Sequence, residues 1–177
     1  TEKKNNPTSE EELNFLWNYQ IKEMYLRYFG WQFIGKESHE DRSWELLTLK
    51  GELIKILRGV DWGKYGLPLP LIFGILGLVF HFSRDWKRAL AVLSLFLATG
   101  FMIILYLNQY DPQPRERDYS YVGSFFSFSI WIGIGVAALQ EKIREWLEGI
   151  EIAAFVSIGL TGIIFVAMPI TMLAKDY

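Results

Sequence analysis

The sequence predicts an all-α polytopic membrane protein, with about four transmembrane helices after an aromatic and amphipathic helical region. Three observations predict it. Long apolar runs dominate Leu67 to Ala174. Most of the charge lies before Gly66. The runs carry no polar face, whereas a soluble core helix keeps one. Four such helices in a chain of 177 residues cannot all be buried by one another, so lipid is the better solvent.

Residues 1–65 form the first region. Thr1 to Pro7 is polar and read as frayed. Ser9 suits a helix N-cap, with Glu10, Glu11 and Glu12 in a first turn that favours anions. Leu13, Leu16, Trp17, Ile21, Met24 and Tyr28 follow at near-helical spacing. Phe15, Tyr19, Leu26 and Phe29 cover the other side. Two readings stand for this helix: ordinary packing on neighbouring structure, or a position at the membrane interface, where Trp and Tyr are favoured. Lys36 to Trp44 reads as a charged loop. Leu46 to Val60 reads as a short amphipathic helix, and Asp61 to Tyr65 as a turn with Trp62 and Tyr65 as interfacial anchors.

Residues 66–177 form the transmembrane region, with spans at about 67–82, 89–107, 121–139 and 150–173. The first is short for a hydrocarbon core of ~30 Å. Pro68 and Pro70 fall in its first turn, where a missing N–H is tolerated. Ser83 to Arg88, Asn108 to Ser120 and Gln140 to Gly149 read as the connections. Glycines recur in the spans, and Gly133 with Ala137 has the spacing of close helix packing. Loops one and three carry Arg84, Lys87, Arg88, Lys142 and Arg144, against Arg115 and Arg117 in loop two. The positive-inside rule then puts both chain ends on the outer side, in periplasm or lumen. Lys55, Arg58 and Lys64 weigh the other way. The start at Thr1 and the stop at Tyr177 read as the ends of an internal piece of a longer protein.

Composition excludes several functions. The net charge is only -2, without the basic stripe that nucleic-acid binding needs. There is no cysteine, hence no disulfide and no thiolate metal site. His39 and His81 are far apart. No cofactor is evident, and a divalent cation is not indicated.

The segment Asp111 to Tyr121, DPQPRERDYSY, is the least ordinary. Two prolines disfavour helix and stiffen the connection. Arg115 and Arg117 offer forked donors suited to phosphate. Asp111, Glu116 and Asp118 have the chemistry of a general base or a cation ligand. Tyr119 and Tyr121 suit stacking on a sugar or a place at headgroup depth. The plainer reading is a solvated loop whose charges pair with one another and with headgroups.

The stretch YLNQYDPQPRERDYSYVGSFFSFSIWIGIGV, Tyr106 to Val136, closely resembles a signature of a bacterial membrane family catalogued as domain of unknown function 2723. That family is also grouped as glycosyltransferase family 117, and it is similar to a vertebrate protein O-mannosyltransferase. YQIKEMYLRYFGWQFIGK (Tyr19 to Lys36) and YGLPLPLIFGILGLVFHF (Tyr65 to Phe82) resemble two further family segments. The resemblance implies a C-type glycosyltransferase architecture. It implies a polyprenyl-phosphate-linked sugar donor and a protein hydroxyl acceptor at the outer face of a bacterial inner membrane. The family's candidate catalytic acid lies in a first outward loop that this chain does not contain, so no catalytic residue is carried over. Arg115, Arg117, Glu116, Asp118, Tyr119 and Asp111 remain as substrate-binding candidates. The alternative is a non-catalytic membrane module, either part of a transporter or an envelope-assembly scaffold. Spans nearly free of ionisable residues weigh against a transporter. A soluble helical protein is a third reading.

Overall fold

The structure is a computed structural model, and it describes residues 8–36, 60, 67–109, 117–146 and 153–176. The described residues are helical, apart from short connections and one isolated antiparallel bridge between Lys36 and Val60. The readings for Leu46 to Val60, Trp62, Tyr65 and His39 fall outside the described residues, Val60 excepted.

The first helix begins as α1 (Ser9–Phe15). Its cap is Thr8, not Ser9. The Thr8 hydroxyl accepts from the Glu11 N–H at 3.4 Å, and the Thr8 N–H donates to the Glu11 carboxylate at 2.8 Å. This reciprocal pair satisfies two otherwise unpaired N–H groups. It also holds the Glu11 carboxyl below the usual range, chiefly through the Thr8 N–H. The cap is therefore complete above the ordinary carboxylate range, and it is lost as pH falls through the lowered value. Thr8→Ala is expected to speed amide exchange at the first turn on the order of fivefold, as for a lost cap.

The helix continues as a π-helical segment (Leu16–Leu26) and then as α2 (Arg27–Phe33). The wider winding keeps every fourth residue on one side. Gln20, Met24 and Tyr28 are buried along that side. Tyr25, Phe29 and Phe33 form a neighbouring aromatic stripe that meets the longer helices.

Those helices are α3 (Leu69–Arg84), α4 (Trp86–Thr99), α5 (Phe101–Leu107), α6 (Val122–Trp146) and α7 (Ala153–Asp176). Pro68 caps α3, and Pro70 lies in its first turn. Between α3 and α4 a single residue, Asp85, leaves the helix. It ends α3, and its carboxylate caps α4 by accepting from the Arg88 N–H at 3.2 Å. The expected loop Ser83 to Arg88 is thus almost wholly helical. Gly100 joins α4 to α5: its N–H reaches Phe96 O at 3.0 Å, and its carbonyl accepts from Ile104.

A 3-10 turn (Asp118–Tyr121) leads into α6. Helix α6 also runs further than expected. Gln140 to Trp146 is helix rather than linker. Charge pairs hold it, with Lys142 on Glu145 at 2.7 Å, and Arg84 of α3 reaching Glu141 at 2.7 Å.

Two helical stretches are long and apolar enough to cross a membrane, Trp86–Leu107 and Asp118–Trp146. Leu69–Arg84 is apolar but shorter. Only 11% of the most apolar window of Trp86–Leu107 is buried in the protein. Leu90, Leu95, Leu97, Phe101, Met102 and Leu105 all stand exposed along it. An exposed apolar face of that extent marks a surface that meets a membrane or another protein.

Helices α3 and α6 run in the same direction and touch backbone to backbone. Gly74 lies under the Phe128 ring, and Gly77 lies on the Trp131 carbonyl and the Gly135 N–H. Gly133, by contrast, has nothing within 4 Å of where its side chain would start. The Gly133 and Ala137 spacing therefore does not mark this contact; Gly74, Gly77 and Gly135 do.

The core is aromatic. Phe128 lies 4.6 Å from Phe33 and 4.9 Å from Phe29, ring centre to ring centre. Phe96, Phe125 and Trp131 complete the cluster in tilted and edge-on contacts. These are the arrangements that ring quadrupoles favour. The first helix is thus neither a separate unit nor a loosely held surface helix: its aromatic stripe supplies a large part of the core.

Candidate functional site

The candidate site lies where Leu107 ends one apolar stretch and Arg117 begins the next. Asn108 stops α5 in the left-handed conformation, with φ 37°. Asn tolerates that region better than most residues and commonly ends helices there. The geometry turns Asn108 and Gln109 towards the first helix. The Gln20 amide donates to Asn108 Oδ1 at 2.9 Å and to the Gln109 carbonyl at 3.2 Å. Gln109 is 5% exposed, and both polar atoms of its side chain are buried without a hydrogen-bond partner among the described residues.

Two helical turns along the first helix from Gln20, the Tyr28 hydroxyl accepts from the Arg117 backbone N–H at 3.3 Å. Arg27 stacks over Tyr28 and Trp31 at 5.2 and 5.0 Å, and it pairs with Glu23 at 3.7 Å. The Nε atoms of Arg27 and Arg117 are buried and without a hydrogen-bond partner among the described residues. Beside them the Tyr25 hydroxyl donates to Ser124 at 3.2 Å, and burial pushes the Tyr25 phenol up, so it stays neutral.

Of the residues singled out in the sequence, the structure places Arg117, Asp118 and Tyr119. Asp118 accepts from the Tyr119 N–H at 3.0 Å. No ion pair joins Asp118 to Arg117 among the described residues. Tyr119 is exposed. Tyr121 is not available for stacking on a ligand: it is 1% exposed and packs edge-on to Tyr25 at 5.3 Å. Asp111, Arg115 and Glu116 lie outside the described residues. No group of three or more His, Cys, Asp or Glu able to hold a metal occurs among the described residues.

Comparison with family models, curated proteins and solved structures finds no match to this chain. The site therefore rests on its own residues. Sequence reading missed Gln20, Tyr28, Arg27, Asn108 and Gln109 as site residues. A signal was present in two neutral amides directly after an apolar span, and in Gln20 on an aromatic helix.

Proposed function

We propose that this chain is part of a membrane-embedded glycosyltransferase, which moves a sugar from a polyprenyl-phosphate donor to a protein hydroxyl. In this reading α3, the α4–α5 stretch, the Asp118–Trp146 stretch and α7 are four spans of a bacterial inner-membrane protein. The Arg117 end faces the periplasm, as do both chain ends.

Aromatic anchors support the spanning arrangement. Trp86 and Trp146 are exposed at the end that carries Arg84, Lys87 and Lys142. Tyr106 and Tyr119 are exposed at the other. From Trp86 to Tyr106 a helix rises roughly 30 Å, which is about the hydrocarbon thickness. Trp and Tyr at both boundaries are the expected belts. The charges near Arg84 and Lys142 fall on one end, in keeping with a cytoplasmic face.

The observation that carries the chemical reading is Arg117. Its backbone is tied to Tyr28, and its Nε is buried with no partner among the described residues; in this reading it stands at the membrane boundary. It is also the second arginine of the PRERDY run that resembles the family. When a lipid phosphate leaves the sugar, negative charge develops at headgroup depth. A fixed guanidinium aimed there stabilises it most when the site is dry. Arg27, stacked over Tyr28, adds a second positive charge near it.

Sugar transfer from a polyprenyl-phosphate donor by the full-length protein tests this. Arg117→Ala and Arg115→Ala are each expected to lower kcat on the order of a hundredfold, the scale of a lost charge-stabilising donor. Wild-type rates in both, at normal expression and folding, would leave the non-catalytic membrane module as the better reading.

A further inference from the structure

Gln109 is the most buried polar side chain at this end with nothing to bind. Its Nε2 and Oε1 have no partner among the described residues, while its own carbonyl is held by Gln20. A buried amide left unpaired is costly to stability, and native proteins seldom keep one without a use. The chemistry of this amide is specific. Nε2 needs an acceptor and Oε1 needs a donor. A phosphate offers acceptors only, and an ammonium donors only. A hydroxyl offers both. Gln20 and Asn108 are likewise uncharged, and Asn108 is exposed at the rim of the cluster.

We propose that Gln109, with Gln20 and Asn108, forms a binding site for a neutral polyhydroxyl ligand, a sugar ring being the fitting class. Gln20, braced on Asn108 and on the Gln109 carbonyl, fixes the backbone from which the Gln109 side chain projects. The site stands on these contacts; its assignment to the sugar of the donor rests on the transferase reading. In that case Arg117 holds the phosphate and the amides hold the sugar.

The test is binding and stability together, in the full-length protein in lipid nanodiscs. Free methyl hexosides of mannose, glucose and galactose are titrated in one arm, and a polyprenyl-phosphate mannose in the other. Binding in the first arm identifies a site for sugar as such, and binding in the second alone a site for carrier-linked sugar. Gln109→Met keeps the shape and removes the unpaired amide. It is expected to weaken binding about tenfold or more, the loss of two hydrogen bonds, and to raise the Tm of the ligand-free protein. An amide kept for the fold predicts a lower Tm and unchanged binding. That result, or no saccharide bound in either arm, overturns the proposal. Should Gln109→Met fail to fold, Gln109→Asn draws the amide back from the ligand, and unchanged binding there overturns it equally. Saccharide binding without transfer activity would sink the transferase reading and keep the site. Transfer with a KM indifferent to Gln109 would do the reverse.

Discussion

Leucine at Gly77 is expected to disrupt the α3–α6 contact and to cost upwards of about 3 kcal/mol, the high end for overpacking a tight core. Even one methyl group at this position would collide with the Trp131 carbonyl, and would lie 2.6 Å from the Gly135 nitrogen. Both obstacles are backbone, so no side chain can rotate away. Relief requires the helices to separate, and that would lift Gly74 from the Phe128 ring and slacken Phe128 against Phe29 and Phe33. In the proposed membrane setting close approach would matter more than in a water-soluble core, because lipid supplies no hydrophobic drive to hold two helices together. Thermal unfolding in detergent reads the effect. Gly133→Leu is the control: with open space at that position, a change within about 0.5 kcal/mol is expected. Equal losses for the two variants would mean that the Gly77 face is not the packing face.

The contrast between Gly77 and Gly133 shows where sequence reading reaches and where it stops. The apolar runs were legible because a helix apolar all round shows itself by composition alone. The start of α3 was legible because Pro68 and Pro70 suit only a first turn. Which glycines touch another helix was not, since that depends on how α3 and α6 are turned towards each other. The charges after Gln140 read as a linker because polar residues usually mark one. Here Arg84, from a different helix, meets Glu141 and the helix continues. At the site, Arg117 and Asp118 stood out by charge. Gln109 carries none, and its burial depends on Gln20, which is 89 residues earlier in the chain.

Tyr28 couples this core to the site, and its truncation is the second large effect. Its ring is 1% exposed and packs on Trp31 at 5.1 Å and on Tyr121 at 6.2 Å. Tyr28→Ala is expected to cost about 3–5 kcal/mol, the range for emptying a buried aromatic position. Tyr28→Phe keeps the ring and removes only the acceptor for the Arg117 N–H. Its expected cost is about 1 kcal/mol, because the Arg117 backbone is only partly shielded from water. The two variants should separate in activity as well as in Tm. If Tyr28 serves only packing, Tyr28→Phe leaves transfer at the wild-type rate. If the hydroxyl fixes Arg117 against the donor phosphate, Tyr28→Phe lowers kcat severalfold at nearly unchanged Tm, because a small displacement of a charge-stabilising group is felt most in the transition state. Combined with Arg117→Ala, it should then add little further loss, since residues acting through one interaction are not additive.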